Sequence, residues 1–306
     1  MQISEDYCCS IFSSQLGEAL FGTASRVEAW FLLEYNGAWG QKAFKESLIP
    51  GNIKTYLATF LDNIPNSKLV LIKSRPGFLD PGISFFVARA DEKNQVLYEF
   101  NLDGYEDLLS MDLQAILAGG AAYNVYCRDE PLFLVCTNGR RDACCASNGL
   151  PVYMAMFEAA GSEAWQSTHL GGHRFAGNSV CLPHGIYYGR LAPDNAATVV
   201  ETYRRGEIFL ERFRGRACYS PAVQAAEYYL RQQSGILGLD VFQLLETQED
   251  PPGEWMAKFQ EIDSGIVYRL VVGEEVSEQE FYPSCRQDKT SHLTEYRLLD
   301  YSPGEA

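Results

Sequence analysis

Apolar positions in this chain come in short runs of two kinds, and their alternation sets the first expectations. VEAWFLLEY at 27–35 is dense enough in apolar residues to read as a strand, and strand-like runs follow at 68–73 (KLVLIK), 84–89 (SFFVAR) and 95–101 (QVLYEFN). Between the first two, residues 52–62 repeat their apolar positions at helical spacing. A second helix is expected over about 105–118, after Asp103-Gly104 and before the Gly119-Gly120 stop. The pattern then recurs. Strand LFLVC (132–136) leads through a polar loop to a helix near 151–160, with Pro151 taken as its first-turn residue, and then to strand AWQST (164–168). After a Gly-rich loop, SVCLP and IYYGRL (179–191) flank His184-Gly185, a hairpin signature. Helices are expected at about 195–205 and from Pro221 through AVQAAEYYLRQQ, with Ser220 as a candidate cap. Beyond 240, FQLLE, EWMAKFQ, IVYRLVV and TEYRLL predict a small antiparallel sheet.

The two halves share the order strand, loop, helix, strand, loop, hairpin, helix. LLEYNG (32–37) lies over LVCTNG (134–139), which sets Glu34 where Cys136 stands, and KSRPGFLDPG (73–82) falls where STHLGGHRFAG (167–177) falls. The expectation is an α/β fold of two thioredoxin-like units, the N-terminal one degenerate, with a small C-terminal antiparallel β region. The corresponding divisions are 1–125, 126–238 and 239–306.

Composition narrows the function. The chain's 306 residues suffice for more than one domain, and 46% hydrophobic against 21% charged residues makes disorder a poor description. Forty acidic against 25 basic residues give a net charge of −15, which repels phosphate backbones and anionic bilayers. Nucleic acid and membrane are therefore not expected partners. MQISEDYCCS lacks the basic and apolar segments of a secretory signal, and no apolar run reaches the roughly 18 residues of a spanning helix. A cytoplasmic protein is expected, in which nine cysteines are not a disulfide framework. Cys127 and Cys181 read as strand residues, and Cys8, Cys9, Cys218 and Cys285 form no ligand pattern in sequence.

The chemistry gathers elsewhere. CTNGRRDACC places Cys136 at a strand end and Cys145 nine positions later, and THLGGHRFAG places His169 and His173 four apart. Histidines four apart on a helix would suggest a metalloprotease, but the Gly171-Gly172 pair disfavours a helix and the general-base glutamate is missing. A Gly-Gly loop instead lets backbone amides approach something bulky and turns both imidazoles toward it. Three of the chain's four histidines fall within sixteen positions, which favours a metal site over isolated buried histidines. Two thiolates and two imidazoles suit zinc or an iron–sulfur cluster equally well.

CTNGRRDACCASNGLPVY, WQSTHLGGHRFAGN, LPHGIYYGRL and FRGRACYSPAVQAAEYYLR together resemble the sucrase/ferredoxin-like family, also described as thioredoxin-like [2Fe–2S] ferredoxins. The similarity runs from about residue 8 to the end and is sharpest between 134 and 232. The resemblance implies a [2Fe–2S] cluster on Cys136, Cys145, His169 and His173, with Cys145 preferred to its neighbour Cys144 because its spacing matches. Asn138 stands where the family often has histidine, outside the four ligands. No paired-carboxylate signature supports glycosidase chemistry.

The implied function is ferredoxin-like electron transfer with mixed ligation by two cysteines and two histidines, open to proton coupling at an imidazole. It describes an electron carrier rather than a stand-alone enzyme, serving a protein redox partner, for which the acidic balance suits a basic docking surface. Arg140, Arg141 and Arg174 are candidates to place charge near the sulfides or to pair with carboxylates such as Asp142, while Arg190 and Gln224 read as packing and turn support. The alternatives are a structural zinc protein using the same ligands and a thiol-redox thioredoxin-like protein, which lacks the usual CxxC.

Overall fold

A computed structural model describes residues 8–74, 82–286 and 290–304. Its elements are α1 (Cys9–Gln15), β1 (Ala29–Glu34), α2 (Ala43–Glu46), α3 (Gly51–Asp62), β2 (Ser67–Lys73), β3 (Ile83–Arg89), β4 (Val96–Leu102), α4 (Leu113–Ala118), β5 (Leu132–Cys136) and α5 (Ala143–Ala160). There follow β6 (Ala164–Ser167), β7 (Ser179–Leu182), β8 (Ile186–Tyr188), α6 (Pro193–Arg204), β9 (Phe213–Arg216), α7 (Pro221–Ser234) and the strands β10 (Phe242–Glu249), β11 (Glu254–Glu261), β12 (Val267–Phe281) and β13 (Ser291–Pro303).

Nine strands form one mixed sheet in the order β4-β3-β1-β2-β6-β5-β7-β8-β9. Its pairing repeats: β1 lies between parallel β2 and antiparallel β3 with β4 outside, and β5 lies between parallel β6 and antiparallel β7 with β8 outside. The halves meet where β2 and β6 pair antiparallel through Ile72–Ser167 and Lys73–Gln166. The sheet curls, so that strands distant in its order touch across the inner face. Trp30 on β1 meets Tyr187 on β8 at 6.1 Å between ring centroids, and Phe86 on β3 meets Trp165 on β6 at 5.6 Å. Side-chain alternation builds this: Trp30, Leu32, Leu134 and Cys136 enter the inner core, whereas Phe31, Leu33, Phe133 and Val135 face helices outside. A one-residue slip of β5 would send Cys136 to the wrong face and expose chains worth about 1.5–3 kcal/mol each, so its position is fixed.

β10 to β13 form a separate four-stranded antiparallel sheet in chain order, packed on α7 through Tyr219, Ala226, Leu230, Phe259 and Leu270. This matches the expected C-terminal region, although β12 and β13 are longer than the short runs suggested.

Three local expectations need correction. The helix expected from Pro151 starts at Ala143, because the buried Asp142 carboxylate accepts the Cys144 N–H at 3.0 Å and caps it there; Pro151 lies inside and forgoes one backbone bond. The expected 105–118 helix is two pieces, a 3₁₀ segment Tyr105–Ser110 and α4, separated by extended Met111. Cys127 is exposed beyond a 3₁₀ segment, touching β4 only through an isolated bridge with Tyr98, whereas Cys181 is buried in β7 as expected. Of the loop 73–82, residues 75–81 lie outside the described residues.

Candidate metal centre

Cys136 ends β5, and α5 crosses directly over that end. The crossing needs glycine at 149, where a Cβ would stand 2.0 Å from the Cys136 carbonyl oxygen. One helical turn earlier on the same stripe is Cys145, so the close approach that Gly149 permits carries Cys145 to Cys136. Successive helical residues point about 100° apart, so Cys144 faces another direction. The Sγ atoms of Cys136 and Cys145 and a ring nitrogen of His169 all lie within 4.8 Å of one another.

His169 and His173 lie on the loop after β6, and three consecutive carbonyls of that loop are pulled into the body of the protein. The Leu170 carbonyl accepts from Lys68 Nζ at 2.6 Å, Tyr187 Oη at 3.1 Å and Ser25 Oγ at 3.3 Å. The Gly171 carbonyl accepts from Arg214 Nη1 at 3.1 Å, and the Gly172 carbonyl from Asn178 Nδ2 at 2.8 Å. Both glycines have positive φ, +117° and +68°, and a Cβ at Gly172 would lie 2.4 Å from Arg214. So held, the two imidazoles lie together, 4.9 Å between centroids and 31° apart in plane. His173 stands beside this group of three rather than inside its mutual 4.8 Å limit. A ligand set that brackets two metal atoms spreads more widely than one that closes on a single ion.

The electrostatics favour the metal-binding form of Cys136 and His173. Contact with Cys145 and His169 holds the Cys136 thiol well below its ordinary value despite complete burial, while Cys145 is pushed up by its neighbour and by burial. Burial lowers His173 to about 4, the charge of His169 and Arg141 adding to it against Asp142 and Cys136, so the ring is neutral at physiological pH. Neutral imidazole and thiolate are the forms that coordinate metals. The Nδ1 atoms of His169 and His173 are both buried with no hydrogen-bond partner among the described residues. Buried polar atoms without a partner are costly unless something binds them, so the residues fit a metal group.

The family profile of sucrase/ferredoxin-like proteins matches residues 20–215, more than half of the chain. The chain belongs to the sucrase/ferredoxin-like family. It is also 32% identical over 98 residues to Altered inheritance of mitochondria protein 32 from Meyerozyma guilliermondii, a match covering 28% of this chain and 34% of that protein. The chain therefore spans about a third of the length of that curated relative. No solved structure matches.

This member of the family keeps its other expected residues in supporting roles. Asn138 donates to the Gly40 carbonyl at 3.2 Å and accepts from the Arg141 N–H at 3.3 Å. Arg174 pairs with buried Glu18 at 2.8 Å and lies over Phe175. Asp142 is taken by backbone N–H groups and Ser284 rather than by an arginine. Arg190 binds Ser13, and Gln224 bonds the backbone of Ala24, Arg216 and Tyr219, the packing roles expected of both. Lys68, Ser25, Asn178, Tyr187 and Arg214 were not legible as site residues, since most of them come from segments far from the histidine loop in sequence.

A cleft of about 280 Å³ opens beside His169, lined by Lys42, Lys45, Asn138 and Arg141 among others. Cys8, Cys9 and Cys285, without a pattern in sequence, converge on Cys144. Among the described residues, no helix is long and apolar enough to cross a membrane.

Proposed function

We propose that Cys136, Cys145, His169 and His173 hold a [2Fe–2S] cluster and that the protein is a ferredoxin-like electron carrier. The observation that carries this reading is the convergence of two buried thiols on two imidazoles whose buried Nδ1 atoms have no other partner among the described residues. A cluster bound there supplies one-electron transfer. The chain's own residues do the rest. β5 and α5 bury the two cysteines away from water, and the clamped loop presents the histidines at the half-buried rim. The Nδ1 atoms are the natural donors, which leaves each Nε2 to carry or release a proton as the electron count changes.

The half-buried rim beside the cleft is the proposed docking side for a protein redox partner. The chain-wide charge suits a partner with a basic docking surface, while Lys42, Lys45 and Arg141 suit an acidic group reaching the cleft itself. The repeated strand pairing supports two thioredoxin-like units, the first degenerate with Glu34 at the place of Cys136, and the divisions 1–125, 126–238 and 239–306. A cytoplasmic location remains the reading of the sequence; the curated relative carries mitochondria in its name.

Zinc is the second reading, because Cys136, Cys145 and His169 are close enough to share one ion. Anaerobic purification with iron, sulfide and zinc counts separates the two. A coloured protein with equal iron and sulfide supports the cluster; a colourless one with zinc following Cys136 and Cys145 overturns it.

A further inference from the structure

Four cysteines outside the centre just described meet at the N-terminus of α5. Cys8 and Cys9 come from the start of α1, Cys144 from α5 and Cys285 from the loop after β12. Cys144 Sγ lies 3.3 Å from Cys8 Sγ, 3.5 Å from Cys9 Sγ and 3.3 Å from Cys285 Sγ. All four are free thiols, since a disulfide needs about 2.05 Å. Four sulfurs around one zinc at about 2.3 Å would stand about 3.8 Å apart; Cys9, Cys144 and Cys285 lie, with an Asp142 oxygen, within 4.8 Å of one another, and Cys8 joins them through its approach to Cys144. A multi-iron cluster would spread its four cysteines over at least two irons, with some pairs much farther apart than these approaches to Cys144, so this spacing fits a single ion.

The surroundings are built to hold the four in place. Asp142 accepts from the Cys144 N–H at 3.0 Å, the Cys285 N–H at 3.0 Å and Ser284 Oγ at 2.8 Å. With these three donors on it and Cys9 Sγ at 3.8 Å, its carboxylate frames the thiols. The Cys9 N–H donates to Cys285 Sγ at 3.3 Å, the kind of backbone bond that supports a thiolate ligand. Three chain segments separated by well over a hundred residues supply the thiols, so no local packing need explains their meeting.

We propose that Cys8, Cys9, Cys144 and Cys285 form a second metal centre, a structural tetrathiolate site for one zinc ion. Binding displaces the thiol protons and ties α1 and the loop after β12 to the first turn of α5, one residue from Cys145. The site makes adjacent cysteines serve different metals: Cys144 faces zinc, and Cys145 faces Cys136. It stands on its own geometry and does not depend on what the Cys136 centre holds.

The test uses the full chain, purified anaerobically from cells supplied with iron and zinc. The expected result is one zinc per chain with four sulfur neighbours by zinc-edge X-ray absorption. Cys285→Ser, or the milder Cys8→Ser at the half-buried edge, should lose zinc while iron content is kept, which also shows that the variant is folded. Cys136→Ser should lose iron and keep the sulfur-only zinc. No zinc in the wild type, zinc with nitrogen neighbours, zinc that follows Cys136 or His169, or peptide mapping that finds these cysteines paired as disulfides would each overturn the proposal. Zinc with four sulfurs in a protein without iron would support this site while sinking the cluster reading.

Discussion

The division of labour between Cys144 and Cys145 rests on the roughly 100° that separates adjacent residues on a helix. Cys145→Ser should therefore abolish the iron–sulfide content of the Cys136 centre, whereas Cys144→Ser should leave it largely intact; iron and sulfide analysis of the two variants reads this directly. The reverse outcome would place the ligand register one residue off. Sequence spacing could suggest Cys145, since nine positions from Cys136 match the family resemblance, but spacing carries no reason for the choice. The reason is the crossing at Gly149, where helix and strand touch at a distance no other residue allows. Histidine ligands place less negative charge on a cluster than thiolates do, so His169→Cys, if the cluster is retained, should lower the midpoint potential by protein-film voltammetry. A rise would argue against His169 as a ligand.

Most elements were legible because their periodicity was clean, and the exceptions have physical causes. Pro151 reads as a helix start, yet the buried Asp142 cap well before it starts the helix instead and holds both the first turn and the Ser284–Cys285 loop. The cost of removing such a cap is about 0.5–2 kcal/mol for the helix alone, and more for a carboxylate with three donors, so Asp142→Ala should destabilise by at least about 2 kcal/mol in chemical denaturation. Cys8, Cys9 and Cys285 gave no signal because their shared site is assembled from distant segments. On α7, Glu227 lies between Arg231 at 2.9 Å and Arg216 at 3.5 Å, all three buried. Removing the carboxylate would strand two buried guanidinium groups, and Glu227→Ala should cost about 3–5 kcal/mol by the same measurement. A loss below about 1 kcal/mol would mean that water relieves them.

At the scale of the whole molecule, the recurrent order of elements along the chain was readable from the sequence, but the sheet they build was not. One sheet curls until β1 meets β8, and Tyr187 on β8 reaches the same Leu170 carbonyl as Lys68 on β2, the neighbour of β6. A hydrogen bond also ties the loop before the second sheet to the first. His184 in the β7–β8 turn bonds Asp240 at 3.2 Å and holds its carboxyl below the ordinary value. A depressed acid stabilises the fold above its unfolded value of about 4 and loses that contribution as pH falls through the folded value. Asp240→Asn should therefore lower the melting temperature at neutral pH, with the gap from wild type closing as the solution becomes strongly acidic; a gap independent of pH would assign the loss to packing. The central claim concerns what two half-buried imidazoles hold, and pulsed EPR of the reduced protein, prepared with and without ¹⁵N-histidine, tests it most directly. The account predicts a [2Fe–2S] signal with strong couplings to two nitrogens that change on labelling and drop to one in His169→Cys. A cluster signal without histidine nitrogen coupling, or a protein with no EPR signal and zinc on Cys136 and Cys145, would contradict it.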